Sequence, residues 1–313
     1  MAKIEVTVTE ELTGSRLDKA IVTLVDGASR ARVKRAVEEG EVRLNGRRAP
    51  KGAVVTAGDV IELEESVGRT AEAACIPEPD AALDVRFETS AVLVVQKPAG
   101  QPTAPLRAEE KGTLASALVG RYPELAGVGY SPLEPGIVHR LDTDTSGLVV
   151  VARTRAAFET LRDALQSEQL QKEYLLVCQS DGLPDDGVIE HPIANHPKDQ
   201  KRVYPCVHPR DVMRYAPRPA LTKFTVVKRV TNATGSWALV RATAPRAVRH
   251  QLRAHFASID HALAGDKLYG VDGSIGRHAL HASRVAFEGG GQPELRFDVT
   301  SDLPEDMQKL VTE

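Results

Sequence analysis

Cysteine is scarce in this sequence. Cys75, Cys178 and Cys206 are the three present among 313 residues, far apart and with no Cys-x-x-Cys pair. That pattern supports neither a disulfide framework nor a cysteine-rich zinc site, and a reducing, cytoplasmic setting is the expectation. Long apolar runs are missing too: stretches such as Ala91 to Val95 and Leu148 to Ala152 fall well short of the roughly 18 residues that span a bilayer, so no membrane partner is expected. The N-terminus alternates like a strand and is followed by acids, unlike the basic-then-apolar layout of a signal peptide. Aromatic residues make up only 4% of the chain, and the formal net charge is only -3, which on its own announces no nucleic-acid partner. What is present is ordinary globular material, 42% hydrophobic and 27% charged, which excludes a disordered or collagenous chain. The length suits one or two domains at roughly 100 to 200 residues each.

Periodicity divides the chain. Residues 1–65 read as a small unit: Leu17, Ala20, Ile21, Leu24 and Val25 share one helix face, and a second helix starts after Ser29 as N-cap, buries Val33, Ala36 and Val37, and stops at Gly40. A strand from Glu41 to Leu44 then meets the turn dipeptide Asn45-Gly46, and Val60, Ile61 and Leu63 form a last strand. Residues 66–84 lose periodicity and collect Glu, Ala and Pro, as a linker does. Over residues 85–313, strands are predicted at Ala91–Lys97, Gly147–Ala152, Glu173–Cys178, Leu221–Val230, Ser236–Thr243, Ala279–Phe287 and Glu294–Val299. Helices are predicted at Arg155–Ser167 and Ala247–Ile259. Many strands with few intervening helices predict an α+β fold with a mostly antiparallel sheet.

The small net charge hides segregation. Between Ala28 and Lys51 eight basic residues face three acids, and between Lys198 and Arg229 nine face two, while the linker and the segment after Val285 hold compensating acids. Basic faces of this kind suit phosphates even on an acidic chain. On the second helix, Arg30, Lys34 and Arg35 lie opposite the buried Val33, Ala36 and Val37, with Arg47 nearby in sequence, and these are candidate RNA contacts. His196, Cys206 and His208 fit no standard zinc spacing, so no metal is expected.

The most informative stretch is Gly136-Ile137-Val138-His139-Arg140-Leu141-Asp142-Thr143-Asp144-Thr145-Ser146-Gly147-Leu148, where ionisable residues precede an apolar strand. A turn at a strand's start offers a carboxylate to a cleft without burying it unpaired. Read alone, it suggests a glycosidase-style pair, but Asp142 and Asp144, two apart on an extended chain, point to opposite faces; an aspartic-protease-like triplet, but with an extra residue and no second copy; or a purely structural turn.

His139-Arg140-Leu141-Asp142-x-x-Thr145-Ser146-Gly147, followed by Leu-Val-Val-Val-Ala-Arg, resembles the signature of RluA-type pseudouridine synthases. Lys172-Glu173-Tyr174 resembles their second motif, and His250-Gln251-Leu252-Arg253, Gly265-Asp266 and Leu280-His281-Ala282 resemble the third and its sequel. Ser15 to Gly46 resembles the alpha-L RNA-binding domain. The resemblance implies an isomerase that turns uridine in RNA into pseudouridine without a cofactor, acting on large-subunit ribosomal RNA, with transfer RNA the other candidate, and expected as a monomer. It implies that Asp142 is the essential carboxylate, that Tyr174 stacks on the uracil or serves in proton removal, and that Arg253 pairs with Asp142. His139, Arg140 and Leu141 are implied at the substrate, with Arg140 filling the space left by the flipped nucleotide. Arg246, Arg249 and Arg253 fall at helical spacing, so one face is expected to approach phosphates. One departure stands out: Ala247-Val248-Arg249 precedes His250 where the family usually has Gly-Arg-Thr. That departure motivates an alternative, a non-catalytic RNA-binding or ribosome-assembly factor on a synthase scaffold.

Overall fold

In a computed structural model, the residues described are 3–25, 27–28, 30–64, 67, 74–107, 109–233, 235–270 and 275–312. They fall into two compact units, Met1–Ala74 and Cys75–Glu313. In the first, strands β1 (Lys3–Thr7), β2 (Arg43–Leu44), β3 (Arg47–Arg48) and β4 (Val60–Glu64) form an antiparallel sheet in the order β1-β4-β2-β3. Helices α1 (Leu17–Leu24) and α2 (Arg30–Glu39) share a core with it: Leu17, Ala20, Ile21, Val33 and Ala36 bury with Ile61 and Leu63, the two inward residues of the alternating strand β4. Asn45 and Gly46 both take positive φ (52° and 75°), as a tight hairpin turn requires. The expected N-cap Ser29 and the side chain of Arg30 lie outside the described residues.

The second unit is built on a nine-stranded sheet. Its strands are β5 (Asp84–Glu88), β6 (Val92–Lys97), β7 (Ser146–Ala152), β8 (Gln171–Gln179), β9 (Asp186–Ile189), β12 (Thr222–Asn232), β13 (Gly235–Thr243), β14 (Leu280–Glu288) and β15 (Arg296–Thr300). They run in the order β5-β6-β7-β14-β8-β13-β12-β9, with β15 beside β14. A separate hairpin is made of β10 (Ile193–Asn195) and β11 (Val203–Pro205). Every pairing is antiparallel except β7 with β14. The fold is therefore α+β, with a mixed and mostly antiparallel sheet. Part of the expected linker, from Cys75 onward, packs within this unit: Cys75 N donates to Pro132 O and Glu78 N to Ser116 O.

Hydrophobic clusters cover the two faces of the sheet. One joins Leu93, Val95, Leu176 and Tyr174 to α3 (Leu114–Arg121) and α6 (Gln251–Ala257); the other joins Val92, Val94, Val150 and Val285 to α4 (Arg155–Gln166). Thr154 caps α4 by accepting from Ala157 N. Helix α3 has no polar stripe, since Leu114 through Val119 are all buried, and a helix buried all round gives no amphipathic period to read. Two short helices complete the unit, α5 (Pro209–Tyr215) and α7 (Glu305–Leu310).

The helix predicted over Ala247–Ile259 is shorter, starting at Gln251, because His250 sits in the left-handed region (φ 56°) and breaks the spiral. This overturns the shared face expected for Arg246, Arg249 and Arg253. Only Arg253 is on the helix.

Candidate active site

The turn that carries Asp142 is held from both sides by the segment after β6. Thr103 Oγ1 donates to Leu141 O (2.8 Å) and accepts from Leu141 N (3.2 Å), so one hydroxyl satisfies both backbone groups of the preceding residue. On the other side, Thr143 O accepts from Lys97 Nζ (2.9 Å) and Gly100 N (2.9 Å). Lys97 is fully buried, and its ammonium also donates to Pro98 O and Gln101 O, which gives its three N–H groups three carbonyls. Burial pushes its pKa down to about 8 against the opposing pull of Asp142 and Asp144.

Downstream, the turn is sewn to β14 and to the residues just before it. Thr145 Oγ1 is 2.7 Å from His278 Nε2, and Ser146 Oγ is 2.9 Å from His281 Nδ1. Gly147 follows with φ 122°, and a Cβ there would lie 2.3 Å from Ala282 O, so only glycine lets β7 approach β14 this closely.

Asp142 is half-buried, and its Oδ2 accepts from Arg253 Nη1 (2.9 Å). The rest of that guanidinium is committed to Asp266: Nε donates to Oδ2 (2.7 Å) and Nη2 to Oδ1 (2.9 Å). Asp266 is fully buried. Burial alone would raise its carboxyl, but the two bonds from Arg253 and those from Leu268 N and Tyr269 N outweigh it, and the pKa falls below the usual carboxylate range. Arg253 is in turn held more strongly cationic than usual, the carboxylates outweighing its own burial.

The face of the Tyr269 ring lies 5.3 Å from the Arg253 guanidinium. Its hydroxyl accepts from Val203 N (2.7 Å) and meets His250 Nδ1 at 3.0 Å. With the hydroxyl proton given to Nδ1, the ring proton of His250 sits on Nε2, which faces Asp142 Oδ1 at 3.8 Å. Burial lowers the His250 pKa although Asp142 pulls it up. A cleft of about 220 Å³ opens here, with Asp142, Asp144, His250, Arg253, Leu268 and His278 in its walls.

Tyr174 is buried in β8, in the same core cluster as Leu141. Burial, helped by the charge of Asp142, pushes its phenol above the usual range, so the hydroxyl keeps its proton.

Residues 91–258 match the family model "RNA pseudouridylate synthase" and residues 15–61 match "S4 domain". Over 99% of this chain and 98% of the relative, the sequence is 32% identical to "Uncharacterized RNA pseudouridine synthase YlyB" of Bacillus subtilis. Over 99% of this chain and 94% of the relative, it is 31% identical to "Ribosomal large subunit pseudouridine synthase D" of Yersinia pestis. Among solved structures, human RNA Pseudouridylate Synthase Domain Containing 1 shares the fold, with a TM-score of 0.56 at 21% identity over 75% of this chain and 96% of that one. The chain belongs to the RNA pseudouridylate synthase family.

Within this pseudouridine synthase, an isomerase with an RNA-binding S4 domain, the residues expected at the substrate take different places. Asp142 and Arg253 meet, and Arg140 is exposed, where its Nη1 pairs with Glu134 (2.8 Å). His139 and Leu141, in contrast, turn inward. Leu141 is core, and His139 is buried with Nε2 accepting from Val150 N, its pKa driven to about 3 by burial and then by Lys172. Arg246 pairs with Glu168 (3.0 Å), and Arg249 Nη2 donates to Gln200 O and Arg202 O (both 2.9 Å). A loop, not a helix face, directs these two, so neither follows the expected phosphate-facing row. In the S4 domain Lys34, Arg35 and Arg47 are exposed, whereas Arg48 Nη2 donates to Glu38 O and Lys51 pairs with Glu38.

The conjectured zinc group is otherwise engaged: His196 Nδ1 accepts from Asp199 N, and Cys206 Sγ donates to Tyr204 O. Among the described residues no three His, Cys, Asp or Glu side chains converge as a metal site, and no helix is long and apolar enough to cross a membrane.

Sequence reasoning left Thr103, Lys97 and Asp266 without a role. The signal for Asp266 was the glycine before it: Gly265 (φ 70°) would place a Cβ 2.1 Å from Arg277 O, so the pair marks a tight approach rather than a surface turn.

Proposed function

We propose that the enzyme isomerises uridines of large-subunit ribosomal RNA, with Asp142 as the essential carboxylate. The observation that carries this reading is the single hydrogen bond from Arg253 to Asp142 Oδ2, made by a guanidinium whose remaining contacts are fixed on a buried Asp266. Such an arrangement leaves Oδ1 for the substrate and costs no reorganisation when a nucleotide arrives.

In the reaction the bond from uracil N1 to the sugar C1′ breaks, the base turns in place, and C5 bonds to C1′. The C5 proton leaves to solvent while N1 gains one, so the reaction balances without a redox partner. Asp142 either attacks the nucleotide covalently or takes a proton from the sugar. A phenol that keeps its proton suits Tyr174 to stacking on the base rather than to acting as a phenolate base. Arg140, exposed and held by one ion pair, is suited to swing into the space left by the flipped nucleotide. The ribosomal target is supported by the relatives named for the large subunit, and the exposed Lys34, Arg35 and Arg47 of the S4 domain suit RNA phosphates.

Tritium release from RNA carrying uridine labelled at C5 tests the reading. The wild-type chain is expected to release label from large-subunit ribosomal RNA and not from transfer RNA, and Asp142→Asn to reduce release by at least about a thousandfold. Unchanged release by that variant overturns the role of Asp142, and label released from transfer RNA alone overturns the target.

A further inference from the structure

Resting on the synthase reading above, we propose that residues 196–218 form an arm that grips RNA beside the Asp142 site. Lys198, Lys201, Arg210, Arg214 and Arg218 take phosphates, and Met213 lies against unstacked bases.

The charges come first. Arginines over much of the second unit are neutralised locally: Arg86 by Asp84, Arg155 by Glu159, Arg162 by Asp163, Arg284 by Asp298. Of the six Lys and Arg side chains between residues 196 and 218, all but the half-buried Arg202 are exposed, and none of those five makes an ion pair among the described residues. The two acids within the arm do not compensate them. Asp199 Oδ1 accepts from Lys201 N, and Asp211 Oδ2 accepts from the Tyr204 hydroxyl. Unneutralised cations close together repel, and they are retained at low cost only where water or a polyanion screens them.

Shape adds a second argument. Helix α5 buries none of its residues, and Tyr204 docks it on the hairpin through the Asp211 bond and an edge contact with Tyr215 (5.6 Å). Its apolar side chains point outward: Met213 is 89% exposed, with Val212 and Val207 exposed beside it. A large exposed apolar side chain on the same short helix as Arg210 and Arg214 fits nucleic acid, where phosphates pair with the cations and an apolar wedge props open a base step. A protein partner fits less well, because five exposed cations among only two acids match a polyanion rather than the mixed charge of a protein surface.

The third observation is where the arm is rooted. Val203 N donates to the Tyr269 hydroxyl that meets His250, and the Arg202 guanidinium lies 5.2 Å from the Tyr269 ring on which Arg253 also rests. Arg249 clamps the carbonyls of Gln200 and Arg202. RNA held by the arm is thereby fixed relative to the residues around Asp142.

The test is filter binding of an in vitro transcript of large-subunit ribosomal RNA across a salt series. It compares the full chain with a variant carrying Lys198→Gln, Arg210→Gln, Arg214→Gln and Arg218→Gln. A control removes the same number of charges at Arg155, Arg162, Arg296 and Lys309, all elsewhere in the unit. The arm variant is expected to raise Kd at least tenfold at about 0.15 M salt and to flatten the slope of log K against log salt by about 3, with the control near wild type. Met213→Gln alone is expected to raise Kd severalfold. An arm variant that matches the control overturns the proposal and assigns the face to another partner, and an unchanged Met213→Gln removes the wedge. If the wild-type chain forms no pseudouridine but binds RNA in an arm-dependent way, the synthase reading fails while the arm stands.

Discussion

Two regions of the second unit handle positive charge in opposite ways. Around Asp142, Lys97 gives its three protons to three carbonyls and Arg253 is locked on Asp266, and both cations are removed from water. In the arm over residues 196–218, five cations stand in solvent without a carboxylate partner among the described residues. A buried cation must be prepaired because desolvation costs several kcal/mol, and that same preparation holds the carboxylate still for chemistry. A solvated cation costs little to keep and remains available to a polyanion. The contrast separates groups that position from groups that attract, and substitutions in the two regions should fail differently.

Among single substitutions, the largest expected effect on stability is at Asp266. Asp266→Ala leaves Arg253 buried with one partner, which should cost about 3 to 5 kcal/mol of stability and at least a hundredfold in pseudouridine formation. The double variant Arg253→Met with Asp266→Leu removes both charges. It should recover most of the melting temperature but none of the activity. Recovery of activity would show that Arg253 matters only as a partner for Asp266.

Thr103 comes next. Thr103→Val keeps the shape but removes the hydroxyl that satisfies both Leu141 N and Leu141 O, so the Asp142 turn should loosen, with kcat falling about tenfold and KM little changed. Thr103→Ser should restore most of the rate. A Val variant with normal kcat would show that Lys97 and Gly100 fix the turn unaided.

What the sequence made legible and what it hid follow this same division. Asp142, Tyr174 and Arg253 lie in contiguous motifs, and residues 15–61 and 91–258 carry patterns local enough to recognise. The strands of the sheet were readable as apolar runs such as Val92 to Val95. Asp266 and Thr103 were not, because their importance lies in bonds to Arg253 and Leu141, 13 and 38 residues away. Helix α5 escaped notice for the opposite reason: with no buried residue it has no period, although its excess of basic residues was already visible. The helical row of Arg246, Arg249 and Arg253 failed at one residue, since no propensity announces a left-handed His250.

A pH series sharpens the contrast further. His278, His281 and His255 are held neutral by burial, with pKa values lowered to about 4, and His278 and His281 tie the Asp142 turn to β14 and the residues just before it. In the unfolded chain each takes up a proton below about pH 6.5. The unfolded state therefore binds more protons between about 6.5 and 4, and stability should fall with decreasing pH across that window, by roughly 3 kcal/mol for each histidine and on the order of 10 kcal/mol in all. Loss of stability confined to lower pH would instead implicate carboxylates such as Asp266, whose lowered pKa moves their effect toward stronger acid. Melting temperatures from pH 7.5 to 4.5 separate the two, and His281→Gln should flatten the curve between 6.5 and 4.

The smallest expected effect is on the stability of the arm. Arg214 is exposed on a helix that buries nothing, and its guanidinium lies 5.3 Å from the neighbouring Tyr215 ring. Arg214→Gln should change the unfolding free energy by less than about 0.5 kcal/mol, within the range of ordinary surface substitutions. Removing a like charge from an unneutralised cluster could even raise the melting temperature slightly at low salt, an effect that salt should erase. A stability gain at low salt together with weaker RNA binding would mean that the arm sacrifices folding energy to keep its charges available, the reverse of the arrangement around Arg253. A clear stability loss would break the comparison, because it would mean that Arg214 supports the hairpin rather than waiting for a partner.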